Sequence, residues 1–334
     1  MEYPSLDTPT AGAFRFNTDS NQLEIYDGNQ WTGVLATSPE LQTGGTRGVW
    51  GGGNQHPSYK DTIDYVSISS TGNAVDFGNL VNSGDRSAAC ASRTRGIWMG
   101  YKVPGGEADV IEYITIAQTG NATDFGDLSA ARELNTALSN QTRGISAGGD
   151  EPSTVNTIEY VTIASTGDAV DFGDLIVAQE KFTSCASPTR GVTAGGNEPS
   201  NTDAIYYITI STTGNASVFG DLTGAMSYLR GASNAVRGVF GGGIPHPYGA
   251  TINYITIATL GDAQDFGDLP NLNYNRGAAA SPTRAVWGGG TADPTWSDVM
   301  DYVQIASTGN AIDFGDLSQA RSIPGAFSNG HGGL

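Results

Sequence analysis

Three histidines, two cysteines and six regularly spaced arginines are the residues of this 334-residue chain whose chemistry could matter most. A metal centre or an acid–base pair needs such groups gathered within reach of one another. His56 and His246 each lie nine residues after one of the arginines, far apart in the chain, and His331 stands near the C-terminus. No cluster with the ligand spacing of a zinc or copper site surrounds them. Catalysis, a metal and any other cofactor are therefore not expected. Cys90 and Cys185 each precede an arginine by five residues, which puts them in equivalent slots two repeats apart. That separation exceeds the roughly 7 Å Cα limit for a disulfide. With Ala232, Ala279 and Ala326 in the same slot, both cysteines are expected to be small buried side chains.

The arginines organise everything else. Arg47, Arg95, Arg143, Arg190, Arg237 and Arg284 recur every 47 or 48 residues, and Thr46-Arg47-Gly48-Val49-Trp50-Gly51-Gly52-Gly53 is the fullest form of the phrase they open. A tyrosine follows after 17 or 18 residues and a phenylalanine twelve beyond it, in the pairs Tyr65/Phe77, Tyr113/Phe125, Tyr160/Phe172, Tyr207/Phe219, Tyr254/Phe266 and Tyr302/Phe314. Length varies only between arginine and tyrosine, so the loop must be there. Repeats of this period mark propellers or solenoids. A ligand site on a pseudo-symmetric ring normally breaks the symmetry, so the near-invariant arginines are structural, with Asp76, Asp124, Asp171 or Asp313 as their expected partners. The tyrosines and phenylalanines are core by the same logic.

Two-residue alternation identifies the strands that position these groups. Val49, Ile97, Ile145, Val192, Val239 and Val286 lie two positions after each arginine, on a second strand. Ile111-Glu112-Tyr113-Ile114-Thr115-Ile116 is β-branched and aromatic, a third strand. Thr119-Gly120-Asn121, matched by Thr71-Gly72-Asn73 and Thr166-Gly167-Asp168, suits a tight hairpin. It leads into an outer strand, Thr123-Asp124-Phe125-Gly126-Asp127-Leu128. The strand before each arginine is poor in bulk, as in Ala88-Ala89-Cys90-Ala91-Ser92 and Ala278-Ala279-Ala280-Ser281, which fits the crowded axis of a propeller. The expected fold is all-β: a six-bladed β-propeller of four-stranded antiparallel blades over residues 46–334. A linear solenoid is the structural alternative. The tail from Gly325 to Ser328 reads as a further inner strand, with Ser328 aligned to Ser92, Ser187 and Ser281 and His331 in the arginine slot, so the C-terminus should complete the first blade. Residues 1–35 read as a small three-stranded β-meander turned at Asp19-Ser20-Asn21 and Asp27-Gly28-Asn29, too small to be stable alone. Residues 36–45 are a linker.

Thirty-four acidic against sixteen basic residues give a net charge of -18, which disfavours nucleic acid and anionic lipid as partners. No apolar run approaches the roughly 18 residues that span a bilayer, so membrane insertion is not expected. The start Met1-Glu2-Tyr3-Pro4 has neither the basic residues nor the apolar stretch of a secretory signal. The acidity serves solubility in salt-rich surroundings, with calcium binding by acidic loops as the sharper alternative.

The repeat resembles that of kelch-type propellers. A double glycine follows an apolar strand (Gly51-Gly52, Gly148-Gly149, Gly195-Gly196, Gly241-Gly242, Gly288-Gly289), then come the tyrosine, an aromatic and a basic residue. Phenylalanine replaces the family's tryptophan, and Met99-Gly100-Tyr101 replaces one double glycine. The copper ligands of galactose-oxidase relatives and the Asp boxes of sialidase propellers have no counterparts here, and Asp-Phe-Gly reads as a strand end. The wording from Ile63 to Leu80 is similar to kelch-like structural and tail-fibre proteins of marine bacteriophages, notably those of cyanobacteria. The phrases Ala11 to Asp19 and Leu23 to Trp31 are similar to segments that begin many phage virion proteins.

The resemblance implies a non-enzymatic virion protein, a tail fibre or another appendage of tail or capsid. Its N-terminal module would dock to other virion proteins through Phe14, Phe16, Ile25, Tyr26 and Trp31. The propeller would meet a host surface glycan or protein, and homo-oligomers are compatible with either role. In a four-stranded meander the arginine–tyrosine loops share a face with the connections between blades, and these loops differ in every repeat. His56, Tyr59, Tyr101, His246, Tyr248 and Trp296 are the candidate binding residues on that face, on proline-braced loops suited to recognition. Ordinary drift of surface loops is the competing explanation. A polysaccharide-acting propeller enzyme and an intracellular kelch-like interaction module are the alternative functions.

Overall fold

The computed structural model describes residues 9–17, 22–33, 46–197, 199–245, 248–292 and 294–330. Their regular structure is β throughout, apart from one 3-10 turn at Tyr248–Ala250. No helix among them is long and apolar enough to cross a membrane. Beside a three-stranded sheet near the N-terminus and three short hairpins, the described residues form six antiparallel four-stranded sheets, following the arginine repeat. In the second sheet Ala88–Ala91 pairs with Arg95–Val103, that with Gly106–Thr115, and that with Thr123–Asp127. The first strands of the third to sixth sheets are Thr136–Ser139, Thr183–Ala186, Arg230–Ser233 and Gly277–Ala280.

The first sheet takes its first strand from the far end of the chain. Gly325–Ser328 pairs with Arg47–Gly51, with Gly325 opposite Gly51 and Ser328 opposite Gly48. The register differs by one residue from the sequence alignment. Phe327 faces Val49 as Cys90 faces Ile97, so Phe327 rather than Ala326 fills the cysteine slot. Ser328 corresponds to Ser139 and Ser233, not to Ser92, and Asn329 takes the turn position. Its Oδ1 accepts the Arg47 N–H at 2.8 Å, as the Ser92 hydroxyl accepts that of Arg95 at 3.1 Å. His331 lies outside the described residues.

Between sheets the core is aromatic and tightly seated. Trp50, Trp98, Trp287 and Phe240 are fully buried, and the Trp98 and Trp287 indole N–H groups donate to the backbone carbonyls of Gly325 and Arg230 at 3.1 and 2.9 Å. Each recurring tyrosine meets its phenylalanine edge to face, with centroids 5.7 to 6.3 Å apart. Both cysteines are buried and free. Each sulfur packs on a glycine two sheets' worth of sequence apart from the other: a Cβ on Gly144 would stand 3.0 Å from Cys90 Sγ, and one on Gly238 2.5 Å from Cys185 Sγ. Burial pushes the Cys90 thiol up to about 12 and that of Cys185 further still.

The six arginines are structural but do not pair with the carboxylates expected. Each guanidinium lies over the tyrosine of its own repeat, 4.4 to 4.7 Å from the ring centroid. Each also donates to a backbone carbonyl just beyond the third strand of the next sheet: Arg47 to Ile116, Arg95 to Ile163, Arg143 to Ile210, Arg190 to Ile257 and Arg237 to Ile305. Arg284 of the sixth sheet donates to Ile68 of the first. The carboxylates expected as partners, Asp76, Asp124, Asp171 and Asp313, are exposed on the outer strands. A stacked cation needs no anion when a carbonyl completes its hydrogen bonding.

A second contact joins the same neighbours. The hairpin between third and outer strands docks on the outer strand of the preceding sheet, so that Gly214 N–H donates to Phe172 O and Ala216 N–H to Asp174 O. Gly72 and Ala74 make the same bonds to Phe314 and Asp316, again from the first sheet to the sixth. The Asn or Asp after each hairpin glycine accepts a further backbone N–H, as Asn215 does from Asp174 at 3.1 Å. This explains the repeated Asp-Phe-Gly: Gly173 has a φ of +145°, and a Cβ there would stand 2.6 Å from the Gly214 carbonyl.

The N-terminal sheet consists of Phe14–Asn17, Gln22–Tyr26 and Trp31–Gly33, the meander expected, with Asp27 Oδ1 accepting the N–H groups of Asn29 and Gln30 at its second turn. These bonds, Gln30's first, hold the Asp27 carboxyl below the usual range. The candidate attachment residues divide between its faces. Phe14 stands opposite Ile25 and is 62% exposed, while Tyr26 and Trp31 are paired on the other face, where Arg15 stacks on Trp31 and binds Glu24. Phe16 is opposite Leu23 in the register. The linker at 36–45 and the turn at Asp19-Ser20-Asn21 fall outside the described residues.

Candidate functional site

Every repeat brings its variable loop beside the connection that enters a first strand. Isolated bridges join Asp85 to Lys102, Glu133 to Asp150, Glu180 to Asn197, Ser227 to Ile244, Tyr274 to Thr291 and Ser322 to Asn54. The residue after each bridge, Arg86, Leu134, Lys181, Tyr228, Asn275 or Ile323, has a positive φ between 52 and 61°. Their backbones form a chain of hydrogen bonds: Leu134 N–H to Arg86 O, Lys181 to Leu134, Tyr228 to Lys181, Ile323 to Asn275, and Arg86 to Ile323. One backbone position thus recurs in all six repeats with six different side chains.

Leu134, Asn275 and Ile323 are buried, and the other three, with their neighbours, divide the face into a charged and an aromatic part. Glu133 faces Arg86 and Lys102, and Lys102 also reaches Glu107, with the lysine contacts at 3.2 Å. Asp85 is buried behind them, accepts from Asn54 and lies 3.8 Å from Arg86; burial holds its carboxyl above the usual range. Lys181 pairs with Glu180 and stands 5.6 Å over the Tyr228 ring. Tyr228 in turn lies 6.2 Å from Tyr274, where the aromatic part begins.

Tyr274 opens onto a groove of about 620 Å³ lined also by Asn271, Leu272, Trp296 and Asp298. Trp296 is held by a short hairpin in which it pairs with Thr291, and Leu272 is half exposed. Aromatic faces beside amide and carboxylate groups can stack on the C–H face of a ring while hydrogen-bonding its hydroxyls.

The expected binding residues fare unequally. His56 is exposed at the tip of a hairpin formed by Asn54–Gln55 and Ser58–Tyr59, and Tyr59 is half-buried opposite Asn54. That hairpin and the Trp296 hairpin flank Ser322, which bridges to Asn54 and hydrogen-bonds Thr291 at 2.7 Å. Tyr101 is not on the surface: it is buried and its hydroxyl donates to Glu112. Burial, then the Glu112 charge, pushes its phenol upward. Tyr248 lies in the 3-10 turn with its side chain outside the description, as is all of His246. Tyr274, Leu272, Tyr228 and Lys181 escaped the sequence reading. Their signal was the connection before each first strand, where identities change at fixed spacing while the flanking residues stay alike.

No group of three or more His, Cys, Asp or Glu side chains among the described residues is arranged to hold a metal ion. No protein-family model matches the sequence, and no curated protein matches it.

Proposed function

We propose that the six sheets are the blades of a closed, kelch-like six-bladed β-propeller, and that this propeller is the outward part of a non-enzymatic bacteriophage virion protein. Closure is supported by the two contacts that repeat from each sheet to the next and recur between the sixth and the first. The first sheet's use of the C-terminal strand fits the same reading. The phage assignment, to a tail fibre or another appendage of tail or capsid, rests on the similarity in wording of Ile63 to Leu80 and of the N-terminal phrases. In this reading the N-terminal sheet binds other virion proteins, with Phe14, Phe16, Ile25, Tyr26 and Trp31 split between its two faces. The loop face binds a glycan or glycoprotein on the host, without nucleic acid or membrane insertion.

The observation that carries the binding role is the groove between Tyr274, on the connection into the sixth sheet, and Trp296, on that sheet's variable loop. Virions bearing Trp296→Ala should assemble normally and adsorb about thirtyfold more weakly, the equivalent of roughly 2 kcal/mol at a hot spot. Adsorption at the wild-type rate would reject receptor binding through this groove. Absence of the protein from purified virions, by mass spectrometry, would reject the virion assignment.

A further inference from the structure

The first strands of all six sheets surround a narrow cavity. One end of it, about 60 Å³, is lined by Ser87, Asn135, Thr136, Ser184 and Arg230 among others, and its walls are mostly polar. The other part, about 70 Å³, is lined largely by alanines and small residues. Arg230 opens its strand where the other sheets have Gly325, Ala88, Thr136, Thr183 and Gly277, so one repeat places a cation where the rest place small side chains.

That cation is unlike the deeply buried arginines among the described residues. Arg132, Arg276 and Arg321 each face a carboxylate, Glu159, Asp301 and Asp64. Arg230 makes one hydrogen bond, from Nη1 to the Leu229 carbonyl at 3.0 Å, and no ion pair with any described carboxylate. Its side chain is only partly covered, but what uncovers it is this confined cavity. Loss of water there pulls its pKa down to about 10. A partly covered guanidinium in a polar cavity, with one carbonyl and no described carboxylate as partner, is open to an anion or to water.

The neighbouring hydroxyls narrow the choice of ligand. Ser184 donates to Ala137 O at 2.6 Å, so Thr136 donates to Ser184 at 2.8 Å, and neither hydroxyl hydrogen is free for a ligand. Thr183 Oγ1 accepts from the Gly231 N–H at 2.6 Å, so the donors lining the cavity are the remaining guanidinium N–H groups and the Ser87 and Thr183 hydroxyls. The positive charge of the guanidinium suits an anion. We infer that Arg230 and Ser87 form a binding site for a small monovalent anion, of chloride or formate size, in the cavity between the six first strands. A cavity of this volume has room for such an ion with a water beside it, and none for a nucleotide or a sugar phosphate.

The site is independent of the receptor-binding reading and is tested separately. Crystals of the full chain soaked in bromide should show an anomalous peak within contact distance of the Arg230 guanidinium. In solution at fixed ionic strength, replacing gluconate by chloride should raise the melting temperature of the wild type. Arg230→Thr, which installs the residue that Thr136 and Thr183 already provide at this position, should fold and lose that rise. No bromide peak at Arg230, or the same chloride response in Arg230→Thr as in the wild type, overturns the proposal. If the variant does not fold, the bromide map alone decides.

Discussion

Two glycines of the third sheet, six residues apart, share nearly the same backbone and differ in what surrounds them. Gly173, in the outer strand, has φ +145° and Gly167, in the hairpin before it, +149°. A Cβ on Gly167 meets nothing within 4 Å, whereas one on Gly173 would stand 2.6 Å from the carbonyl of Gly214 in the next sheet. Gly167→Ala should therefore cost only the strain of a positive φ, about 1–2 kcal/mol. Gly173→Ala carries the same strain and must also push the Gly214 hairpin back by about 0.8 Å to reach a 3.4 Å contact. That movement weakens the bonds from Gly214 to Phe172 (2.7 Å), from Asp174 to Asn215 (3.1 Å) and from Ala216 to Asp174 (2.8 Å). At a net value of about 1 kcal/mol each, the total comes to about 3–5 kcal/mol. The quantity predicted is the difference between the two variants, about 2–3 kcal/mol, read by urea unfolding with the buried tryptophans as reporters. Equal losses in the two variants would show that the outer strand is not docked on its neighbour, and the stapling of sheet to sheet would have to be abandoned.

Arg190→Ala should cost about 2 kcal/mol, from the 2.8 Å bond to Ile257 O and the stacking on Tyr207. Because no carboxylate is involved, the loss should be the same at about 0.05 and about 1 M salt; a loss that shrinks in high salt would restore pairing with a carboxylate. Deleting residues 323–334 removes the first strand of the first sheet, the acceptor of the Trp98 indole and the Phe327 side chain that packs on it at 4.7 Å. Aggregation or a marked fall in melting temperature is expected from the exposed edge. An unchanged, monodisperse melt would refute completion of the sheet by the C-terminus.

The strands were legible because their constraints are local: alternation, β-branching and glycine at hairpins can be read within a repeat. Contacts between repeats were not. An arginine in the sequence suggests an acidic partner, and only the geometry reveals that a carbonyl of the next sheet and the ring of the same repeat already satisfy it. Tyr101 misled for a related reason. Its repeat lacks the double glycine, so the residue looked like loop, but the strand runs on from Arg95 to Val103. A register shift between Met99 and Tyr101, with Gly100 at φ +59°, turns the ring inward toward Glu112. Groups such as Arg230, confined in the cavity, carry no signature in a single repeat and emerge only when six copies are superposed.

Superposition also weighs function against drift. The six residues with positive φ before the first strands would be least strained as glycine or asparagine. Only Asn275 is of that kind; the others are Arg86, Leu134, Lys181, Tyr228 and the β-branched Ile323. At other recurring positions with positive φ the chain places glycine, as at Gly126, Gly173, Gly267 and Gly315. Strain of about 1–3 kcal/mol at each of five equivalent positions is therefore not a shortage of glycine. Leu134, Asn275 and Ile323 are buried, and packing accounts for their side chains; Arg86, Lys181 and Tyr228 stay partly exposed. At those three positions drift would relax toward the cheaper residue, which fits the binding surface proposed above. In the proposed reading, the partly exposed Arg86, Lys102 and Lys181 and the aromatic stretch from Tyr228 to Trp296 would be two parts of one binding surface that includes the groove.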